Sequence, residues 1–274
     1  MAAAPRRRCS ATESGDVTSL GLAASLVLVA VALAISVRLR LRLERELVVS
    51  VVRGLVQLLI VGAALAIVID PDTSLLWSWL WVAGIVVFAA ATVKRRAPAV
   101  PGLFWIALAA NGATAATGFA VAFGLGIFPV EGRTLVPIAG MLVGNAMKSG
   151  IVVAERLVEA LSERRAEVEA RLALGQPWTA ASRPILRSVL RTALSPQIEN
   201  TKALGIVFLP GAMTGLILAG VDPLDAVLVQ LALMYLILGG VATTTAVTAL
   251  GAVRRLFTPD HRLVALPRSR RDTG

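Results

Sequence analysis

Apolar residues run along this chain in blocks of about twenty, and Arg, Lys, Gly, Pro and Asp gather in the gaps between them. A helix rising 1.5 Å per residue needs about 20 apolar residues to cross a hydrocarbon layer about 30 Å thick. By that measure the pattern predicts about seven spans, at roughly 17–37, 47–69, 75–93, 103–128, 135–158, 201–221 and 224–253. Barrel strands would alternate polar with apolar over about ten residues, and nothing here does. The expected fold is all-α, a polytopic membrane protein with a long helical loop between the fifth and sixth spans. Only Asp222-Pro223 separates the last two spans, which forces a tight reversal because Pro cannot continue a helix.

The loop is the one long polar island. Leu157, Leu161, Val168 and Leu172 form a helical stripe with charges on the other face, so the fifth span is expected to continue to Leu174 as one helix. Gly175 permits the left-handed backbone that stops helices. Pro177 suits the first position of a new short helix, and Pro184 is expected to break it. Arg183, Arg187 and Arg191 recur every four residues and share a face, and Ser195-Pro196 closes the island. The organisation expected is a flexible N-terminus over 1–16, a permease-like transmembrane domain over 17–256 containing a cytoplasmic segment at 159–200, and a flexible tail over 257–274.

Composition agrees: of 274 residues, 57% are hydrophobic and 16% charged, with a mean hydropathy of +0.78. The net charge of +10 is explained by basic loops on the cytoplasmic side of a membrane, not by nucleic acid, which is not expected as a partner. One cysteine, Cys9, excludes an internal disulfide, and one histidine, His261, excludes a multi-histidine site. The basic residues of 38–46, 94–96, 155–200 and the C-terminal tail outweigh Arg6, Arg7, Arg8 and Arg133. The expected orientation is therefore N-terminus outside and C-terminus cytoplasmic in the inner membrane.

Charges inside spans cost about 2.5–3.5 kcal/mol at a helix centre and are candidates for function. Arg53, Lys148 and Lys202 fall in the cytoplasmic halves of their spans, where long basic side chains reach the headgroups. Arg53 and Gln57 share a helix face at i, i+4. Asn145 and Gln230 fit interhelical hydrogen bonds, with small residues beside Asn145 allowing close approach. Met141, Met147 and Met213 invite a soft-metal reading, against the commoner one of gap-filling. No Asp or Glu lies deep in any predicted span, which weakens a proton-coupled carrier, and metal ligands are not identifiable.

The stretch Glu169-Ala170-Arg171, followed by Gly175 and then by Ile185, resembles the EAA loop of ABC-transporter membrane subunits. Further, Val136–Met147 ("VPIAGMLVGNAM"), Arg171–Ser182 ("RLALGQPWTAAS"), Gly205–Gln230 and Arg53–Gly62 ("RGLVQLLIVG") resemble the FetB-type permease family of bacterial iron exporters and plant relatives linked to aluminium tolerance. The resemblance covers roughly residues 20–260. It implies a non-enzymatic transport subunit, exporting iron or a related metal species, that binds no cofactor itself. The chain has no G-x-x-x-x-G-K-[ST] phosphate loop, so ATP and Mg²⁺ would be held by a separate ABC ATPase partner. Glu169, Ala170, Gly175, Pro177, Ile185, Arg183, Arg187 and Arg191 would couple to that partner. Arg53, Gln57, Asn145, Met147, Lys148, Met213 and Gln230 would line the path or pack helices, in a homodimer embedded in lipid. A cation at Lys148 would oppose bare metal ions and suit an anion or chelated metal. The competing readings are a membrane scaffold and an autonomous channel or secondary carrier.

Overall fold

A computed structural model describes residues 19–68, 70, 73–205, 209–258, 260, 262–264 and 266. Arg6, Arg7, Arg8, Cys9 and His261 lie outside the described residues. Among those described, the chain is all-helical: α1 (Ser19–Arg38), α2 (Glu44–Val68), α3 (Leu75–Arg96), α4 (Leu103–Ala122), α5 (Gly132–Glu163), α6 (Arg165–Ala173), α7 (Trp178–Ala203), α8 (Gly211–Leu218) and α9 (Pro223–Leu256). Five of these, α2, α3, α4, α5 and α9, are long and apolar enough to cross a membrane, and α1 is apolar over Leu26–Arg38. The chain is a polytopic membrane protein. It divides into two units, Met1–Ala66 and Ile67–Gly274.

In the first unit, the turn between α1 and α2 is basic and backbone-strained. Arg40 (φ 52°) and Arg42 (φ 58°) are left-handed, at about 1–2 kcal/mol each for a residue with a Cβ. Local bonds offset this: the Arg40 amide donates to Val37 O and the Leu41 amide to Ser36 O. Ser36 Oγ, which is buried, accepts from the Leu43 amide and donates to Glu44 Oε1 at 2.8 Å.

The second unit is a bundle with a separate apolar core at each end. One core joins Val93 of α3, Leu103 of α4, Leu157 and Leu161 of α5, and Val253 and Leu256 of α9. The other joins Val82, Phe119, Leu135 and Leu233 of the same four helices. The first end carries Lys94, Arg95, Arg96, Arg254 and Arg255 and is called the basic end below. From these memberships α3, α5 and α9 run toward the basic end and α4 runs away from it. Because α5 and α9 are parallel, the chain between them must travel back once through the bundle.

That return differs from the expected single span at 201–221. Ala181, Ile185, Val189 and Ala193 of α7 pack into the basic-end core, whereas Ala212 of α8 packs against the opposite core. Between them α7 stops at Ala203, Leu204 is extended (φ −61°, ψ 136°) and Gly205 is left-handed (φ 78°). Helix resumes after Pro210, for only eight residues. Among the described residues the crossing is thus the end of α7, a break that begins at Leu204-Gly205, and a short α8 that starts after Pro210. A left-handed glycine followed by a helix-initiating proline interrupts a run that hydropathy alone reads as continuous.

Two further expectations are corrected. Pro184 does not break a short helix, and Ser195-Pro196 does not end the island: α7 runs 26 residues through both prolines. Each proline removes one backbone bond, but the four-residue stripe Ala181, Ile185, Val189, Ala193 buries a continuous apolar edge that holds the helix together. The fifth span also does not extend to Leu174, since α5 ends at Glu163 and Arg164 (φ −102°, ψ 23°) separates it from α6. The reversal at Asp222-Pro223 stands as read. Gly220 is left-handed (φ 88°), Asp222 Oδ1 accepts from the Leu224 amide at 2.9 Å, and Pro223 opens α9. Past α9, Phe257 pairs with Leu263 and both are buried at the basic end.

Candidate functional site

The elbow between α6 and α7 is closed by paired backbone bonds. The Gly175 amide donates to Leu172 O at 2.9 Å and the Gln176 amide to Arg171 O at 3.1 Å. This is the paired ending that puts a left-handed residue just past the helix, and Gly175 supplies it at φ 82°. Leu174, at the tip, is 82% exposed. On the near side of the elbow Glu167 accepts from Arg164 at 2.6 Å and from Arg171 at 2.9 Å, and Glu169 from Arg165 at 2.7 Å. The Arg164 hydrogen bond, with further help from Arg171, holds the Glu167 carboxyl below the usual glutamate range despite slight desolvation. Ala170 is exposed.

On the far side Pro177 is extended (ψ 151°) and caps α7, so the first helical residue is Trp178, not Pro177 as expected. The Trp178 ring stacks on Phe257, centroids 5.8 Å apart, which ties the start of α7 to the end of α9. Ile185 is buried in the basic-end core and acts as a packing residue. Arg183, Arg187 and Arg191 lie on one exposed face with no ion pair among the described residues. The structure therefore groups Glu169, Ala170 and Gly175 at the elbow, and sets the three arginines along the helix that leaves it.

Between the two apolar cores lies a layer of buried hydroxyls that hydropathy could not reveal. Thr114 Oγ1 donates to Gly240 O at 2.9 Å and lies 2.6 Å from Thr244 Oγ1, which also reaches Ala110 O. Ser149 Oγ donates to Ala193 O at 3.1 Å and lies 3.0 Å from Thr245 Oγ1. Asn111 Nδ2 donates to Ala107 O within α4, and Asn111 Oδ1, like Thr248 Oγ1, is buried with no partner among the described residues. Gly240 permits this approach, since a Cβ there would sit 2.8 Å from Thr114 Cγ2. The hydroxyls stitch α4, α5, α7 and α9 together at their middle. The signal was present in the spacing of Thr244 and Thr248, four apart within an apolar helix.

The other candidate residues do not converge. Asn145 Nδ2 donates to Met141 O of its own helix, and the expected interhelical bond is not formed among the described residues; a carboxamide on a helix reaches the carbonyl one turn back most easily. Gln230 Oε1 is buried with no partner among the described residues. Met147 packs against both cores, Met213 is half-buried and Lys148 is exposed with no ion pair among the described residues. Arg53 and Gln57 belong to the first unit, both exposed on α2. No group of three His, Cys, Asp or Glu able to hold a metal occurs among the described residues. A groove of about 540 Å³ between α4 and α9, lined by Thr117, Val121, Leu228, Leu231, Tyr235 and Thr243, is too apolar to hold an ion.

Comparison with known proteins agrees with the resemblance read from the sequence. The chain is 32% identical over 251 residues to "Probable iron export permease protein FetB" of Escherichia coli K12, covering 92% of this chain and 96% of that protein. It is 35% identical over 230 residues to "Protein ALUMINUM SENSITIVE 3" of Arabidopsis thaliana, covering 83% and 82%. It is 36% identical over 197 residues to "UPF0014 membrane protein STAR2" of rice, covering 72% and 68%. No solved structure matches the chain. The family model described as "Uncharacterised protein family (UPF0014)" matches residues 19–257, and this chain belongs to that family of membrane proteins.

Proposed function

We propose that this protein is the permease subunit of an ABC-type exporter of iron or a related metal species in the inner membrane. The observation that carries the reading is the elbow at Gly175. It is a rigidly closed turn with an exposed leucine at its tip, beyond the basic end of the bundle, joined to a long helix that packs on α5 and α9. Basic residues collect on the cytoplasmic side of membranes, so this end faces the cytosol. A cytosolic ATPase closing on ATP would push on the elbow. Because α7 is continuous from Trp178 to Ala203, the push would be delivered along its axis to the break beyond. Glu169 and the Arg183, Arg187 and Arg191 face would supply polar contacts to the partner. Two copies of the chain would serve two ATPase subunits, with ATP and Mg²⁺ held by the partner. The likeness to FetB over nearly the whole chain supports the substrate class.

The test is co-purification with an ABC ATPase encoded beside this protein, followed by ATP turnover. Gly175→Pro and Glu169→Lys should abolish stimulation of the ATPase while leaving membrane insertion intact. Stimulation unchanged in both variants would remove the coupling role.

A further inference from the structure

Two oxygens of the hydroxyl layer are left over once its bonds are counted. Asn111 and Thr248 are each 0% exposed, and Asn111 Oδ1 and Thr248 Oγ1 have no partner among the described residues. Buried polar atoms in native proteins are bonded to protein or to ordered water, because an unmet one forfeits its hydration for nothing. The Asn111 carboxamide cannot turn over to cure this. Ala107 O only accepts, so at 2.8 Å it holds the Nδ2 end. Thr248 departs from its neighbours in another way. Thr92, Thr117 and Thr243 each return their hydroxyl to the carbonyl one turn back. The Thr248 hydroxyl looks instead to α5, where it lies 3.7 Å from the place a Cβ on Gly150 would take.

Packing directs Asn111 to the same place. Gly118 follows Asn111 by seven residues on α4 and so shares its face, and a Cβ on Gly118 would meet Leu142 of α5. Because α5 runs opposite to α4, the residues of α5 level with Asn111 are those seven and eight past Leu142, which are Ser149 and Gly150. A second contact gives the same register: Thr244, one turn before Thr248, reaches the carbonyl of Ala110, the residue beside Asn111. Gly150 keeps the meeting point open. A Cβ there would touch Thr244 Cγ2 at 3.4 Å, Val93 Cγ2 at 3.6 Å and Thr248 Oγ1 at 3.7 Å. Those are ordinary contact distances around a space the size of one methyl group, and a water molecule is no larger.

We propose that an internal water molecule occupies the space beside Gly150 and bridges Asn111 Oδ1 of α4 to Thr248 Oγ1 of α9. Water is the ligand this lining selects. It donates to the carboxamide oxygen, which only accepts, and it donates to or accepts from the hydroxyl. Two polar partners meet the least that a buried water needs. Two neutral oxygens are too few for a hard cation, which takes about six ligands, and the methyls of Val93 and Thr244 close the other sides. The bridge lies beside Ser149, whose hydroxyl donates to Ala193 O of α7 and contacts Thr245 of α9. It therefore belongs to the layer that joins α7 to the bundle, and α5 contributes to it by lacking a side chain. The proposal does not rest on the permease reading.

Denaturant unfolding of the full chain from micelles tests the bridge through the sign of each effect. Alanine in place of a helical glycine ordinarily raises the folded-to-unfolded ratio about fivefold, and at Gly150 the added methyl meets only ordinary contacts. If that methyl evicts a bridging water, Gly150→Ala should instead lower the ratio by about threefold or more, as stranding two buried oxygens does. Thr248→Val keeps the shape and should lower the ratio about three- to twentyfold in the parent. In the Gly150→Ala background, where the water is already gone, it should leave the ratio within about twofold or raise it. Asn111→Ala should likewise cost at least about threefold less in that background than in the parent. An unchanged or raised ratio in Gly150→Ala overturns the bridge, as does a Thr248→Val that costs nothing in the parent. Equal effects of Thr248→Val, or of Asn111→Ala, in the two backgrounds also overturn it, since a merely steric cost of the methyl would add to theirs unchanged. No ATPase is present, so either outcome leaves the coupling role to its own test.

Discussion

Replacing Gly175 with alanine isolates the elbow's backbone. Gly175 holds φ at 82° and no atom lies within 4 Å of an added Cβ, so the substitution meets no neighbour and acts only through its own torsions. A residue with a Cβ in this region costs about 1–2 kcal/mol, and asparagine less because its side chain bonds locally. At 1.4 kcal/mol per factor of ten, that penalty raises the open population of the turn about five- to thirtyfold. The amide of Gln176, bonded to Arg171 O at 3.1 Å, reports the opening directly by hydrogen exchange. Exchange there should accelerate by that factor in Gly175→Ala, less in Gly175→Asn, and not at all at amides in the middle of α9. Exchange within about twofold of the parent in Gly175→Ala, or an equal effect of Ala and Asn, would refute the argument that torsion closes the elbow.

Two other measurements test separate parts of the structure. Thr244→Val keeps the shape but removes the hydroxyl shared with Thr114 and Ala110; it should cost about 0.6–1.7 kcal/mol in denaturant unfolding from micelles. Thr117→Val, whose exposed hydroxyl bonds only within α4, should change stability by less than about 0.5 kcal/mol. The Glu167 carboxyl, held below its ordinary range chiefly by Arg164, stabilises α6 fully above the unfolded glutamate pKa, and the contribution is lost as pH falls through the lowered folded value. Hydrogen exchange in α6, corrected for intrinsic rate, should rise on acidification through that window, and Glu167→Gln should remove the dependence.

What could be read from the residues was what depends on local composition. The all-α membrane class, the positions of α1 to α5 and α9, the stop at Gly175 and the reversal at Asp222-Pro223 each follow from a block of apolar residues or from one residue's torsional preference. The elbow was legible for the same reason, because glycine and proline act on their own backbone wherever they stand. The resemblance at Glu169, Gly175 and Ile185 located the island but not its form. Ile185 is packing, and the expected short helix is a long one.

Tertiary packing decided the rest. Hydropathy averages over a window, so it joined the end of α7, the break and α8 into one span, although Gly205 and Pro210 stood in plain view. Conversely, Pro184 and Pro196 read as breaks because a lone helix would end there, but the apolar edge that α7 buries against α5 and α9 outweighs the lost backbone bonds. The hydroxyl layer of Thr114, Ser149, Thr244 and Thr245 joins residues as far as 130 positions apart, and no local rule pairs them. Likewise, the return of the chain through the bundle follows only from α5 and α9 being parallel, which obliges the segment between them to cross. One-dimensional pattern carries secondary structure and membrane affinity; direction, depth and partnership are properties of the packed bundle.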